Sequence, residues 1–118
     1  MKYLCLVYSQ EKELAAMSQA EYDKLVADHG SLNEALRKKG QFVAANALEP
    51  VRTATTLRVR NGKLSATDGP FAETKEQLAG FYLIDARDLD DALQVARQIP
   101  AIRFGTVEVR PVMEMQQP

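Results

Sequence analysis

The sequence predicts an α+β fold with an antiparallel sheet, and three observations lead to that prediction. Short segments rich in β-forming residues alternate with two longer segments of helical periodicity. Residues 18–21, Ser-Gln-Ala-Glu, have the spacing of a capping box, which marks the start of a helix. Asn61-Gly62 lies between two strand-like runs and is typical of a type I′ hairpin turn. With 118 residues the chain has the length of one domain, which we place over residues 1–118.

The first strand and the first helix have clear patterns. Residues 2–8 are expected to form a strand that is apolar on both faces and therefore needs cover on both sides. Its alternating positions are Leu4, Leu6 and Tyr8 on one face and Tyr3, Cys5 and Val7 on the other. A helix is expected from residue 18 to about Lys39, with Gly40 as its left-handed stop. Its apolar face contains Leu25, His29, Leu32 and Leu36, widened by Tyr22 and Val26.

The remaining strands and the second helix complete the order of elements along the chain. Strands are expected at residues 42–48, in a hairpin at 53–67, at 81–86 and at 106–112, where Pro111 favours a sheet edge. Asp88 is expected to cap a second helix. The buried stripe of that helix is expected to contain Leu89, Ala92, Leu93 and Ala96. Without the hairpin the order is βαββαβ, the split βαβ pattern of ferredoxin-like folds.

The apolar pattern of the predicted sheet indicates an interface with another molecule. Two helices cover only one face of such a sheet, although strands 2–8 and 81–86 are apolar on both. Exposed apolar surface of this extent usually marks a contact with another molecule. We therefore expect a homodimer in which the sheets of two copies pack face to face. The alternative is that the hairpin folds back over the bare face of its own chain.

Composition and motifs exclude several classes of function. Fifteen basic and sixteen acidic residues give a formal net charge of −1, so direct nucleic-acid binding is not expected. The apolar run near the N-terminus is too short for a signal sequence or a membrane span, so we expect a cytoplasmic protein with no membrane partner. One cysteine and one histidine are too few for a zinc cluster, and there is no Gly-rich phosphate loop. No metal and no cofactor are expected, and Cys5 is expected to be a core residue.

Residues 67–86, TDGPFAETKEQLAGFYLIDA, resemble the signature of the DGPF domain, a branch of the YCII-related family. Residues 105–112 resemble the closing strand of that family, and residues 89–93 its second helix. The resemblance implies a ferredoxin-like fold that dimerises, similar to the dimeric α/β-barrel proteins. It implies little about activity, because the family is largely uncharacterised and fold does not settle chemistry. DGPF-type domains are often associated with alternative sigma factors, which implies transcriptional control as one role.

The signature begins with a predicted stiff turn. The Asp68 carboxylate is expected to accept backbone amide hydrogens, Gly69 to be extended before its proline, and Phe71 to anchor the loop in the core. Turn formation alone is a sufficient explanation of these residue types. Under a functional interpretation, the same stiff loop presents ligand-binding side chains beside the sheet. The candidate ligand-binding residues in the loop are Gly69, Pro70, Phe71, Glu73, Thr74 and Lys75.

His29 is the only histidine and is either a packed imidazole or a general acid/base. YCII-related proteins carry a histidine eleven residues before the glycine that ends the first helix, which is the spacing of His29 and Gly40. In such relatives this histidine has been suggested to pair with an aspartate that precedes a proline near the end of the second helix. Here Ile99 precedes Pro100. We therefore hypothesise that Asp68 supplies the carboxylate, and we take His29 and Asp68 as candidate catalytic residues.

Two functions remain open at this point. Tyr82 and Arg110 join the candidate ligand-binding residues, because tyrosine can orient a substrate and arginine can clamp an anion; Tyr8 and Arg58 are weaker candidates. One function is a cofactor-free small-molecule pocket between the first helix and the sheet, with or without acid/base catalysis. The other is a non-catalytic binding or regulatory module. The first requires a reachable, titrating His29, and the second requires a free apolar surface beyond the dimer contact.

Overall fold

The structure is a computed structural model and describes residues 1–115. Its strands are β1 Lys2–Ser9, β2 Phe42–Ala47, β3 Thr55–Arg60, β4 Lys63–Asp68, β5 Gln77–Asp85 and β6 Thr106–Pro111. Its α-helices are α1 Glu11–Ala15, α2 Gln19–Lys38 and α3 Leu89–Ala96. Short 3-10 helices cover Val51–Thr53 and Pro100–Arg103.

The main sheet has the strand order β2-β5-β1-β6, and all neighbouring strands are antiparallel. When the β3–β4 hairpin is set aside, the first and third strands lie in the centre, as in ferredoxin-like folds. The predicted βαββαβ arrangement with an inserted hairpin is therefore confirmed. Strand β6 lies at one edge of the sheet and ends at Pro111. Proline has no backbone N–H, and at the end of an edge strand this breaks no hydrogen bond to a neighbouring strand.

Helix α2 begins and ends where the sequence predicts. The Ser18 hydroxyl accepts a hydrogen bond from the Glu21 amide, and the Glu21 carboxylate accepts one from the Ser18 amide, both at 3.1 Å. This reciprocal capping box satisfies two free amides at the helix start. Gly40 follows the helix with a φ of +70°, the left-handed conformation expected of a C-terminal stop.

The core lies between α2, α3 and one face of the main sheet, which we call the covered face. Its buried sheet residues include Tyr3, Cys5, Val7, Tyr82 and Ile84, and its helix residues include Leu32, Leu36, Ala92 and Val95. Cys5 is fully buried, and burial raises the pKa of its thiol to about 11. It is a core side chain, as predicted, and remains a thiol at neutral pH.

The stripe predicted for α3 is partly wrong. Asp88 caps the helix by accepting the Asp91 amide at 2.9 Å, as expected. However, Leu89 and Leu93 are exposed, while Val95 is buried next to Ala92 and Ala96. The helix is only eight residues long and turns its small side chains inward, which lets it approach the sheet closely.

Helix α1 was not predicted, because its sequence lacks a capping signal. Gln10, at its N-terminus, makes no side-chain capping bond. A distant contact holds the helix in place: the Glu11 carboxylate accepts the Val51 amide at 2.9 Å. Such a contact depends on the folded chain and cannot be recognised in a local pattern.

The β3–β4 hairpin, residues Thr55–Asp68, projects from the body and is called the arm. Asn61 and Gly62 both have positive φ, at 54° and 75°, so the type I′ turn is confirmed. The alternative in which the hairpin covers the bare sheet face is wrong, because Leu57 and Leu64 are 62% and 68% exposed. The radius of gyration, 16.4 Å, exceeds the roughly 13 Å of a compact chain of this length.

The second face of the main sheet carries no helix of residues 1–115 and is called the open face. Its apolar side chains are only half-buried, in contrast to their neighbours on the covered face, which are buried. They are Leu4, Leu6 and Tyr8 on β1 and Phe81 and Leu83 on β5. The alternation predicted for β1 is therefore confirmed.

Gly105 provides a test of the packing between β1 and the segment before β6. A Cβ atom at this position would lie 2.2 Å from the Tyr8 carbonyl oxygen. Gly105→Ala is therefore expected to lower the free energy of unfolding by about 1–3 kcal/mol, measured by urea denaturation. Gly30→Ala is the matched control, because a Cβ atom there meets nothing within 4 Å. This substitution also replaces a glycine inside a helix, so it should raise the free energy of unfolding by up to about 1 kcal/mol. Equal effects of the two substitutions would contradict this packing.

Candidate functional site

A cavity of about 740 Å³ opens between the covered face of the sheet, α2 and the segment that follows β2. This volume falls within the usual range for small-molecule sites, roughly 300–1,000 Å³. Its wall is mainly apolar, with His29 and Asn33 of α2 on one side and Ser9 and Tyr82 of the sheet on the other. The cavity thus lies between the first long helix and the sheet, near the only histidine of the chain.

The cavity exists because small residues occupy one end of the covered face. Ser9, Ala45 and Gly80 line it there, whereas larger side chains such as Tyr3 and Ile84 fill the core at the other end. A helix that spans both ends therefore contacts the sheet at one and leaves space at the other. The contrast in side-chain volume along the strands creates the site.

A β-bulge shapes the same end of the sheet. The register between β1 and β5 shifts between Val7 and Tyr8, which leaves Ala79 as the extra residue. Next to it, a Cβ atom on Gly80 would lie 2.7 Å from the Asn46 carbonyl oxygen. The position therefore requires glycine, and the floor of the cavity remains free of a side chain. Bulges are common beside functional sites, where they redirect side chains.

His29 and Tyr82 form a pair inside the cavity. Nδ1 of His29 is hydrogen-bonded to the Tyr82 hydroxyl, and the two rings are stacked, with centroids 5.8 Å apart and planes inclined by 24°. Helix α2 supplies the imidazole and the central strand β5 supplies the phenol. Both rings are thereby fixed by rigid elements rather than by a loop.

The surroundings keep both members of the pair uncharged near neutral pH. Burial lowers the pKa of His29 below its ordinary value of 6.5; the Arg103 guanidinium lowers it further, and the Asp28 carboxylate opposes the shift. Burial raises the pKa of Tyr82 to about 12. A neutral imidazole has one N–H donor and one acceptor nitrogen, so the pair can both accept and donate a proton.

Asp28 and Arg103 set the charge beside this pair. The Asp28 carboxylate accepts hydrogen bonds from Lys24 and from Arg103, each at 3.0 Å. These contacts hold the pKa of Asp28 below its ordinary value, so it remains a carboxylate. They also tie the 3-10 helix Pro100–Arg103 to α2 next to His29. The carboxylate nearest to His29 in sequence is therefore engaged with cations.

The predicted catalytic residues are not brought together within one chain. Asp68 is the last residue of β4, at the base of the arm, and is exposed. It does not line the cavity, and the hydrogen bond of His29 goes to Tyr82 instead. Arg110 lies on the edge strand β6, paired with Leu4 of the open face. Of the candidate residues, His29 and Tyr82 come together in the cavity, and on the arm the Arg58 guanidinium donates to the Phe71 carbonyl at 3.2 Å.

Three expectations for the signature turn are wrong. Phe71 is 78% exposed and does not anchor the loop. Gly69 has a φ of +105° rather than an extended conformation. Within residues 1–115, no hydrogen bond joins the Asp68 carboxylate to a backbone amide. Main-chain contacts hold the turn to the arm: the Gly69 amide donates to the Ala54 carbonyl at 2.7 Å, and the Thr56 hydroxyl donates to the Gly69 carbonyl at 2.8 Å.

The rest of the signature loop forms local contacts. Pro70 is half-buried, and Glu73, Thr74 and Lys75 are exposed. The Thr74 hydroxyl donates to the Glu76 carbonyl at 2.6 Å, closing a small turn before β5. None of the candidate residues of this loop lines the 740 Å³ cavity.

Sequence reasoning missed several cavity residues. Asn33 follows His29 by four positions, so helical spacing alone places it on the same face of α2. Ser9 extends the alternation of Tyr3, Cys5 and Val7 by one step. Both signals are present in the sequence, but polar residues at the ends of apolar patterns do not by themselves indicate a site.

Comparison with known proteins places the chain in a family. The family model of the YCII-related domain matches residues 1–116. The chain belongs to the YCII-related family. A similar member is an uncharacterised protein of Rhizobium meliloti (strain 1021), 40% identical over 114 residues, which are 95% of this chain and 92% of that protein.

A solved structure with a similar fold is known. It is 5-chloro-2-hydroxyhydroquinone dehydrochlorinase from Burkholderia phenoliruptrix AC1100, in complex with 2,5-dihydroxybenzoquinone. The TM-score is 0.56 at 15% identity, and the match covers 98% of this YCII-related chain and 96% of that chain. At this identity the similarity establishes the ferredoxin-like fold and nothing further.

None of the helices within residues 1–115 is long and apolar enough to cross a membrane. In the same residues, no three histidine, cysteine, aspartate or glutamate side chains come close enough together to hold a metal ion.

Proposed function

We propose that this YCII-related protein binds a small molecule in the 740 Å³ cavity and performs acid/base chemistry on it without a cofactor. The observation that carries the proposal is the hydrogen bond between His29 and Tyr82 inside that cavity. A titratable pair that is shifted by burial and lies in a cleft is typical of functional sites. The solved dehydrochlorinase, which holds a small quinone, supports a small-molecule function on this fold.

The chemistry available to the pair is proton transfer. With the pKa of His29 lowered, the imidazole is neutral and can accept a proton from a bound molecule. The Tyr82 hydroxyl then either accepts a hydrogen bond from the imidazolium or gives its own proton to a second atom of the ligand and regains one from the imidazolium across their hydrogen bond. A proton taken from one atom and returned to another gives an isomerisation, and loss of a leaving group in place of the return gives an elimination.

In this proposal, the acid/base partner of His29 is Tyr82 and not Asp68. Tyr82 contacts the imidazole directly, whereas Asp68 lies on the arm away from the cavity wall. A catalytic role for Asp68 and the signature loop therefore depends on the arm of a second copy. Asp68→Asn consequently serves as the comparison for substitutions in the cavity.

A screen of small ring compounds tests the proposed function. Bound compounds are expected to shift the NMR signals of the His29 imidazole and to exchange an acidic C–H for deuterium in D₂O. His29→Gln and Tyr82→Phe should each slow that exchange by about 100-fold or more, because they remove the acid/base pair while leaving the apolar wall intact. Asp68→Asn should leave it unchanged. Binders that leave the His29 signals unmoved, or equal exchange in His29→Gln, would refute the proposal.

We further propose that two copies associate through their open faces. The half-buried side chains of Leu6, Phe81 and Leu83 form an apolar surface that no helix in the described part of the chain covers. Sedimentation is expected to show a dimer that Leu83→Lys converts to a monomer, since a buried unpaired ammonium is costly. Leu57→Lys, on the arm, is the matched control and should remain a dimer. A monomeric wild type, or dissociation caused by Leu57→Lys alone, would contradict this arrangement.

A second candidate function is a non-catalytic binding or regulatory module, and the arm is the observation that favours it. One face of the arm carries the exposed residues Leu57, Val59 and Leu64, and the other carries Arg58, Arg60 and Lys63. A free apolar surface of this kind is what such a module requires. The same screen separates the two functions, because a pure module predicts that no compound shifts the His29 signals.

A further inference from the structure

Asn33 is an unpaired polar residue on the cavity wall. Its side-chain oxygen Oδ1 is buried and has no hydrogen-bond partner within residues 1–115. An acceptor left in this state is unfavourable, because it has lost its hydrogen bond to water and gained none from the protein. Asn33 lies one helical turn after His29, and both side chains line the cavity. A ligand that donates a hydrogen bond at this position would remove the cost and would at the same time contact the acid/base pair.

Ser9 adds a polar group on the opposite wall. It ends β1 on the covered face, is only 2% exposed and lines the cavity. The helix wall therefore presents an unpaired acceptor and the sheet wall a hydroxyl group.

The charges around the cavity restrict the ligand further. Glu11 and Glu49 line it, whereas no lysine or arginine of residues 1–115 does. Arg103, the cation beside His29, is bound to Asp28 and is not part of the wall. An anionic ligand would therefore meet carboxylates without a compensating cation, and its desolvation would be unfavourable. An uncharged ligand avoids this cost.

We propose that the cavity selects an uncharged, mainly apolar compound whose hydroxyl group donates a hydrogen bond to Oδ1 of Asn33. Asn33 is thus a specificity-determining residue, which favours hydroxyl compounds over their ethers and over carboxylates. Ser9 offers a second polar contact from the sheet. The inference rests on the proposed function, because it takes the cavity to be the ligand site.

Three related compounds test this inference on the full chain: 2-naphthol, 2-methoxynaphthalene and 2-naphthoate. Titration calorimetry should show 2-naphthol binding about tenfold or more tightly than the other two, as expected for one buried hydrogen bond. Asn33→Leu should weaken 2-naphthol about tenfold and leave the ether unchanged. Its melting temperature should be unchanged or higher, because an unpaired acceptor has been removed. Gln94→Leu, at an exposed amide of α3 that does not line the cavity, is the matched control and should preserve the selectivity.

The outcomes separate this inference from the proposed function. Equal affinities of the naphthol and its ether, or an equal loss of both in Asn33→Leu, would overturn the role of Asn33 while leaving the cavity as the ligand site. Tightest binding of 2-naphthoate would overturn the charge argument. Failure of all three compounds to bind, together with an unresponsive His29, would overturn the cavity function and this inference with it.

Discussion

The way α2 lies across the covered face of the sheet determines the rest of the structure. Leu32 and Leu36 pack at one end of the helix, on the large side chains of the central strands. At the other end the strands contribute the small residues Ser9, Ala45 and Gly80, so the helix bridges an open space instead of a filled core. His29 lies where the packing gives way to the cavity. It is partly buried and still faces space that a ligand could fill.

This position explains the electrostatics of the site. Burial disfavours the imidazolium, and Arg103, which Asp28 holds beside the helix, adds a positive charge with the same effect. Tyr82 is buried on the central strand and keeps its proton. The fold thereby maintains two neutral, hydrogen-bonded groups that can exchange protons. The exposed arm is separate from this arrangement, because none of its residues lines the cavity.

Local sequence patterns predict most of the helices and strands, whereas the candidate site depends on contacts between residues that are far apart in the sequence. The capping box at Ser18, the Asn61-Gly62 turn and the two-sided β1 strand all depend on near neighbours, and each is confirmed. The contact between His29 and Tyr82 spans 53 positions and depends on how a helix crosses a sheet. The exposure of Phe71 likewise follows from the projection of the arm, which no residue pattern in the loop reveals.

The central claim is that His29 is held uncharged in the cavity by burial and by Arg103, and an NMR pH titration of its imidazole tests this most directly. The midpoint should lie below 6.5 in the wild type. Arg103→Gln should raise it, because a neighbouring positive charge disfavours the imidazolium, and Asp28→Asn should lower it, because a negative charge that favours the imidazolium is lost. A midpoint at or above 6.5 that responds to neither substitution would contradict the account.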